Sequence, residues 1–200
     1  MLIVFEGIDG AGKNTQIRKL LSYFRQQKIP YRLHKYPTKK AKAAFMHLSG
    51  KRTVPPIRLA EVFADDIVSE KGKLEREICE GAVAVCDRYL HSTLAYQGVG
   101  FGFSRLKTKI GRMGALVPDL VVLLDIDPKV SFERKKRQKT PDRHERDVPF
   151  LSRVRKNYLL MKKAHFLAYK YVVVDASLPA DEVFSEIIMN VEPFLTGKGK

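Results

Sequence analysis

Short apolar runs recur along the chain at 2–6, 31–36, 83–87, 120–126 and 171–175, each five to seven residues long and rich in Val, Ile and Leu. Between them lie longer stretches in which apolar residues return every three to four positions. The first pattern predicts strands and the second amphipathic helices, here over 13–28, 56–80, 104–114, 128–138, 146–167 and 180–192. Strand and helix alternate, which predicts βαβ units and a parallel sheet. Leu120-Val121-Val122-Leu123-Leu124 has no polar alternation, so it suits a strand covered on both faces by helices. The expected fold is therefore α/β, a doubly wound five-stranded parallel sheet with helices on both faces.

Composition changes this picture little. The 200 residues, 44% hydrophobic and 30% charged, describe one globular domain over 1–200 that buries about 70% of the surface of its unfolded chain. No repeat, linker or composition shift marks a boundary. Met1-Leu2-Ile3-Val4-Phe5 is apolar but meets Glu6 and Asp9 at once, so it is expected to be a buried strand, not a signal peptide or membrane span. Cys79 and Cys86 lack disulfide-framework or metal spacing and are expected to be reduced core thiols of a cytoplasmic protein. The five histidines show no triad or metal spacing.

Charge adds one feature. Thirty-seven Lys and Arg against 22 Asp and Glu give a net charge of +15, a field that attracts polyanions of many kinds. The excess is partly local, with Arg134, Lys135, Lys136, Arg137, Lys139, Arg143 and Arg146 in one stretch.

The most specific chemistry lies just after the first strand. Gly7-Ile8-Asp9-Gly10-Ala11-Gly12-Lys13 sits between a strand and a helix, the context that makes a GxxxxGK string a P-loop. Such a loop curls backbone N–H groups around phosphate oxygens, adds the positive end of a helix, and supplies Lys13 to the outer phosphates of ATP. Thr15 belongs to the same segment. Asn14 occupies the position that normally holds a Ser or Thr hydroxyl for Mg²⁺. Its carboxamide oxygen is also a neutral donor, one atom further from the backbone, so a weaker Mg²⁺ seat is expected. Further along, Val83-Ala84-Val85-Cys86 delivers Asp87 and Arg88 to the carboxyl end of a strand, where ligands gather in parallel sheets. An acid suited to Mg²⁺ and a cation suited to phosphate arrive side by side.

FEGIDGAGK at 5–13, FADD at 63–66, DRYLHSTLAYQG at 87–98, DRHE at 142–145, RVRKNY at 153–158 and VVVDAS at 172–177 together make the chain resemble the thymidylate kinases, P-loop nucleoside monophosphate kinases, over nearly its whole length. The resemblance implies a P-loop NTPase fold, transfer of the ATP γ-phosphate to dTMP with Mg²⁺ to give dTDP on the way to dTTP, and a homodimer. It makes Arg88 the clamp on the acceptor phosphate and Asp87 a Mg²⁺-site carboxylate. It sets Asp9 at the acceptor sugar's 3′-hydroxyl, stacks Phe63 on the base, crowds the 2′ position with Tyr96 and brings Gln97 to the base edge. More loosely, Lys39 falls where the family often has another phosphate-binding cation.

Two departures follow. Gly10 and Ala11 stand where one subgroup of these kinases carries an Arg, so the cation for the transferring phosphoryl group is expected from a mobile basic lid at about 134–148, with Arg134, Arg137 and Arg143 as candidates. Ile67 stands four residues after Phe63, where the family usually has a base-reading Arg; an aliphatic side chain cannot donate to a carbonyl, which predicts relaxed discrimination among pyrimidine deoxynucleotides or a replacement donor. Other readings consistent with the sequence are a different pyrimidine nucleotide kinase and, from the net charge alone, a nucleic-acid-binding P-loop ATPase. The second leaves the 87–98 stretch without a reason.

Overall fold

A computed structural model describes residues 1–138 and 147–197, with the side chains of residues 137 and 138 excepted. All five described strands form one parallel sheet: β1 (Leu2–Glu6), β2 (Tyr31–Lys35), β3 (Val83–Asp87), β4 (Leu120–Asp125) and β5 (Lys170–Asp175), in the order β2-β3-β1-β4-β5. Each lies within a residue of the expected bounds at either end. β1 and β3 are buried along their whole length, whereas the edge strand β2 is mostly exposed, as its mixed Tyr31-Arg32-Leu33-His34-Lys35 sequence requires. Leu2, Ile3, Val4 and Phe5 are at most 1% exposed. Each such side chain contributes about 1.5–3 kcal/mol through burial.

The helices among the described residues are α1 (Lys13–Gln26), α2 (Lys42–Leu48), α3 (Pro56–Ser69), α4 (Lys71–Cys79), α5 (Leu90–Phe101), α6 (Phe103–Gly111), α7 (Pro128–Gln138), α8 (Val148–Lys163) and α9 (Ala180–Leu195). Four differences from the expected pattern have physical causes. The helix expected over 56–80 is two helices, interrupted at Glu70, whose carboxylate is engaged by Lys40 at 2.5 Å and Lys73 at 3.8 Å. Helix α2 is short and packs only Ala44 inward, too little for a periodic signal. The cysteines differ from each other: Cys86 is buried in β3, but Cys79, at the end of α4, is exposed and is not a core thiol.

The fourth difference is α5, absent from the expected pattern. It carries Gly98, Gly100, Ser92 and Thr93, all weak helix formers. It packs against α3, α6 and α8, so Leu90, His91, Thr93, Leu94, Ala95 and Gly98 are buried around more than one face and leave no apolar stripe to read. Asn157 Nδ2 on α8 donates to the Ala95 carbonyl at 2.9 Å and ties α8 to α5.

Strand register brings the functional segments together. Phe5 pairs with Asp87 and Glu6 with Leu123, so the P-loop leaves β1 between the carboxyl ends of β3 and β4. The connection out of β1 leads to the β2–β3 side of the sheet and the one out of β3 crosses to β4, so the crevice opens at the point where winding reverses.

Candidate active site

Gly7, Gly10 and Gly12 take positive φ of 137°, 86° and 91°. At Gly10 this freedom is needed twice over, because a Cβ would also meet Ser131 Oγ at 2.7 Å and Ser131 O at 2.9 Å. The Ser131 hydroxyl donates to the Asp9 carbonyl, clasping the P-loop to α7. A side chain at Gly10 would therefore require Ser131 and its helix to shift.

Lys13 is 8% exposed, and its Nζ donates to the Gly7 and Ile8 carbonyls at 2.9 and 3.0 Å. Burial first and the nearby Arg88 charge second lower its pKa from 10.5 to about 8, against the pull of Asp9 and Asp87. Asn14 and Thr15 are exposed at the start of α1. A cleft of about 170 Å³ runs from the P-loop between Thr15 and Gln16 on one side and Ala176, Leu178 and Ala180 on the other. Arg134 borders it and donates to the Ala176 and Ser177 carbonyls at 2.7 and 3.2 Å. Asp175 shapes the same turn by accepting from the Ser177 N–H and hydroxyl at 2.8 and 2.6 Å.

Arg88 follows β3 with φ 70°, a left-handed backbone that costs a non-glycine residue about 1–2 kcal/mol. Its guanidinium reaches back across the sheet. Nη2 meets Asp9 Oδ1 at 2.5 Å, Nη1 donates to Ser92 Oγ at 2.8 Å, and the group lies 5.4 Å from the Tyr96 ring centre. The Tyr96 hydroxyl donates to Asp9 Oδ2 at 3.1 Å. Burial alone would raise the Asp9 pKa; the Arg88 and Lys13 charges and the Tyr96 hydrogen bond overcome it and hold the carboxyl far below the usual range. Beneath this group is Glu6, fully buried, which accepts from the Tyr89 N–H, the Ser92 N–H and hydroxyl, and the Tyr158 hydroxyl.

The structure therefore gathers Lys13, Asp9, Arg88 and Tyr96 into one constellation. Asp87 stands at the end of β3, nearly buried, with Lys35 Nζ 3.4 Å from its carboxylate. Phe63 is half-buried on α3 and packs against a small separate cluster of Ala41, Ala44, Val54 and Leu59. One turn on, Ile67 is 2% exposed and belongs to the main core. Gln97 is half-buried on α5, and Lys39 is exposed. Arg143 and the DRHE stretch lie outside the described residues, and of Arg137 only the helical backbone is described.

Sequence reasoning missed Glu6, Ser92 and Tyr158, and also the clamp in which Asp66 accepts from the Thr38 N–H and hydroxyl at 2.7 and 2.5 Å. That clamp ties the segment after β2, which carries Lys39, to α3. Glu6 had a usable signal: a lone carboxylate closing an otherwise apolar buried strand must find donors.

As for a metal, no cluster of three or more His, Cys, Asp or Glu side chains able to hold one occurs among the described residues. The oxygen donors at the crevice, Asp87 and Asn14, nevertheless fit Mg²⁺, which commonly takes one or two carboxylates and completes its shell with substrate phosphate and water. No described helix is long and apolar enough to cross a membrane.

The family model for thymidylate kinase matches residues 5–187. Similar proteins include a thymidylate kinase of Chlorobium chlorochromatii, 34% identical over 96% of this chain and 94% of its own, and one of Carboxydothermus hydrogenoformans, 34% identical over 92% and 93%. A probable thymidylate kinase of Methanocaldococcus jannaschii is 38% identical over 94% of each chain. The P-loop at the sheet's switch point, the half-buried arginine beside it and a match spanning nearly every element agree: the chain belongs to the thymidylate kinase family.

Proposed function

We propose that this chain transfers the γ-phosphate of ATP to dTMP, giving dTDP and ADP. The observation that carries the reading is Arg88, a half-buried guanidinium held beside the P-loop by Asp9 and Ser92, where it can take a second phosphate next to the first. In this reading the ATP phosphates displace the Gly7 and Ile8 carbonyls from Lys13, and the donor nucleoside follows the cleft bordered by Arg134. The acceptor phosphate sits on Arg88. Its sugar meets Asp9 at the 3′-hydroxyl and Tyr96 at the 2′ position, a pairing supported by the hydrogen bond that joins those side chains. Phe63 and Gln97 flank the base, and Lys39 adds positive charge near the acceptor. Phosphoryl transfer needs alignment and positive charge more than a nucleophile from the protein. Mg²⁺, held by Asp87 and by Asn14 directly or through water, would neutralise phosphate charge. With its guanidinium on two carbonyls, Arg134 serves the donor cleft, and Arg137 and Arg143 are the sources proposed for the transition-state cation.

The same reading treats residues 1–200 as one domain with a basic segment near 134–148 as its lid, working as a cytoplasmic homodimer without a nucleic-acid partner. Steady-state rates with dTMP, dUMP, dCMP and the thymine ribonucleotide, each with Mg²⁺-ATP, test the acceptor. Turnover strongest with dTMP is expected; no turnover of any nucleoside monophosphate refutes the proposal. A second reading, loosened base choice, is favoured by Ile67, whose enclosed aliphatic side chain offers no hydrogen bond. Comparable kcat/KM for dTMP and dCMP would establish it.

A further inference from the structure

Glu6 closes β1 with a side chain wholly removed from water, a place where an unpaired carboxylate is costly. Donors converge on it from two elements. Oε1 accepts from the backbone N–H groups of Tyr89 at 2.7 Å and Ser92 at 3.1 Å, and Oε2 from the hydroxyls of Ser92 at 2.6 Å and Tyr158 at 2.9 Å. The two amides belong to the first turn of α5, whose cap residue Tyr89 provides no side-chain acceptor. Glu6 thus caps α5 from the neighbouring strand, two residues after Arg88 takes its left-handed backbone.

The hydroxyl bond leads onward. Ser92 has one proton, and giving it to Glu6 leaves the Ser92 oxygen facing Arg88, whose Nη1 donates to it at 2.8 Å. Glu6 therefore controls both ends of Arg88, the backbone through the helix cap and the guanidinium through Ser92. These four hydrogen bonds of Glu6 all go to this side of the site, and none of them to Lys13 or the cleft beside Gln16.

We propose that Glu6 is a positioning residue for acceptor binding, presenting the Arg88 guanidinium already oriented for the acceptor phosphate. The inference rests on the assignment of that phosphate to Arg88 under the proposed function. Glu6→Gln tests it with little change of shape: Oε1 can still cap α5, while the second oxygen becomes a donor that cannot accept from Ser92 or Tyr158. At pH 7, below the pKa of about 8 at Lys13, the variant should raise KM for dTMP about tenfold and leave KM for ATP within about twofold. Ser92→Ala should show the same split, and the double variant should be no worse than Glu6→Gln, because both act along one path. A purely structural role would move both KM values together. Equal shifts, an unmoved KM for dTMP, or additive losses would overturn the proposal.

A second readout does not need the reaction. In the free protein, the Nε–H signal of Arg88 by NMR and amide exchange at residues 88–92 should change in Glu6→Gln. If they do while the wild-type chain fails to phosphorylate dTMP, the acceptor reading fails and the positioning stands. An unchanged Arg88 signal overturns the positioning whatever the acceptor is.

Discussion

Lys13, buried, and Arg88, half-buried, are both cations at the carboxyl end of the sheet, on what we propose are the donor and acceptor sides, and they are held in opposite ways. Lys13 rests on two neutral carbonyls of its own loop, so burial dominates and its pKa falls to about 8. Arg88 is matched by the Asp9 carboxylate, and this pair drives its pKa above the ordinary value despite burial. A lysine on backbone dipoles is easily surrendered to an incoming phosphate. A guanidinium fixed in a network keeps one orientation, and its planar fork suits an anion that must be aligned as well as bound. The donor side is thus organised by the loop backbone and the acceptor side by side chains from distant elements.

The comparison breaks most visibly if either cation is removed. Lys13→Met should lower kcat by about 10²–10³ with the fold intact, the scale lost when one preorganised charge is taken from a reacting group. Arg88→Lys should cut kcat/KM for dTMP by about 10² while KM for ATP stays within about twofold, because an ammonium replaces neither the fork nor its hold on Ser92. Equal damage to both substrates in steady-state kinetics would erase the distinction between the two sides.

The proton on Lys13 sharpens it further. With a pKa of about 8, free Lys13 loses its charge as pH rises, so ATP affinity should weaken by up to about tenfold per pH unit above 8, with proton uptake on binding. Calorimetry in two buffers of different ionisation enthalpy measures both. For stability the sign runs the other way: the folded pKa lies below 10.5, the folded state disfavours the charge, and this penalty is relieved between about pH 8 and 10.5.

Gly10→Ala carries a smaller effect on the donor side alone. The left-handed backbone costs about 1–2 kcal/mol and the contact with Ser131 adds to it, which thermal unfolding and a raised KM for ATP would register. Smallest is Asn14→Thr, expected to lower the Mg²⁺ concentration for half-maximal rate a few-fold by shortening the reach to the metal.

What could be read in the sequence divides along the same line. All five strands and the P-loop are local patterns, and strand bounds were placed to within a residue. Asp87 and Arg88 could be named as candidates because they end a strand. Glu6 reaches Ser92 and Tyr158 across 86 and 152 residues, and Asp66 reaches Thr38 across 28, separations that carry no period. Helix α5 holds Arg88's partner Ser92 and Asp9's partner Tyr96, yet its burial on several sides removed the stripe that would have announced it. Phe63, Ile67 and Gln97 could be named by position only; that Ile67 faces the core is a property of the packing of α3.

The clasp between Ser131 and the P-loop also has an evolutionary side. Because the Ser131 atoms fill the space beside Gly10 and the backbone there favours glycine, an arginine introduced at this position alone would meet a closed door. Trimming the Ser131 side chain alone leaves its backbone oxygen 2.9 Å from a Cβ at Gly10, so α7 itself must shift first. The order of changes is therefore constrained: a descendant of this chain could place an arginine at this point of the P-loop only after α7 had moved away from it.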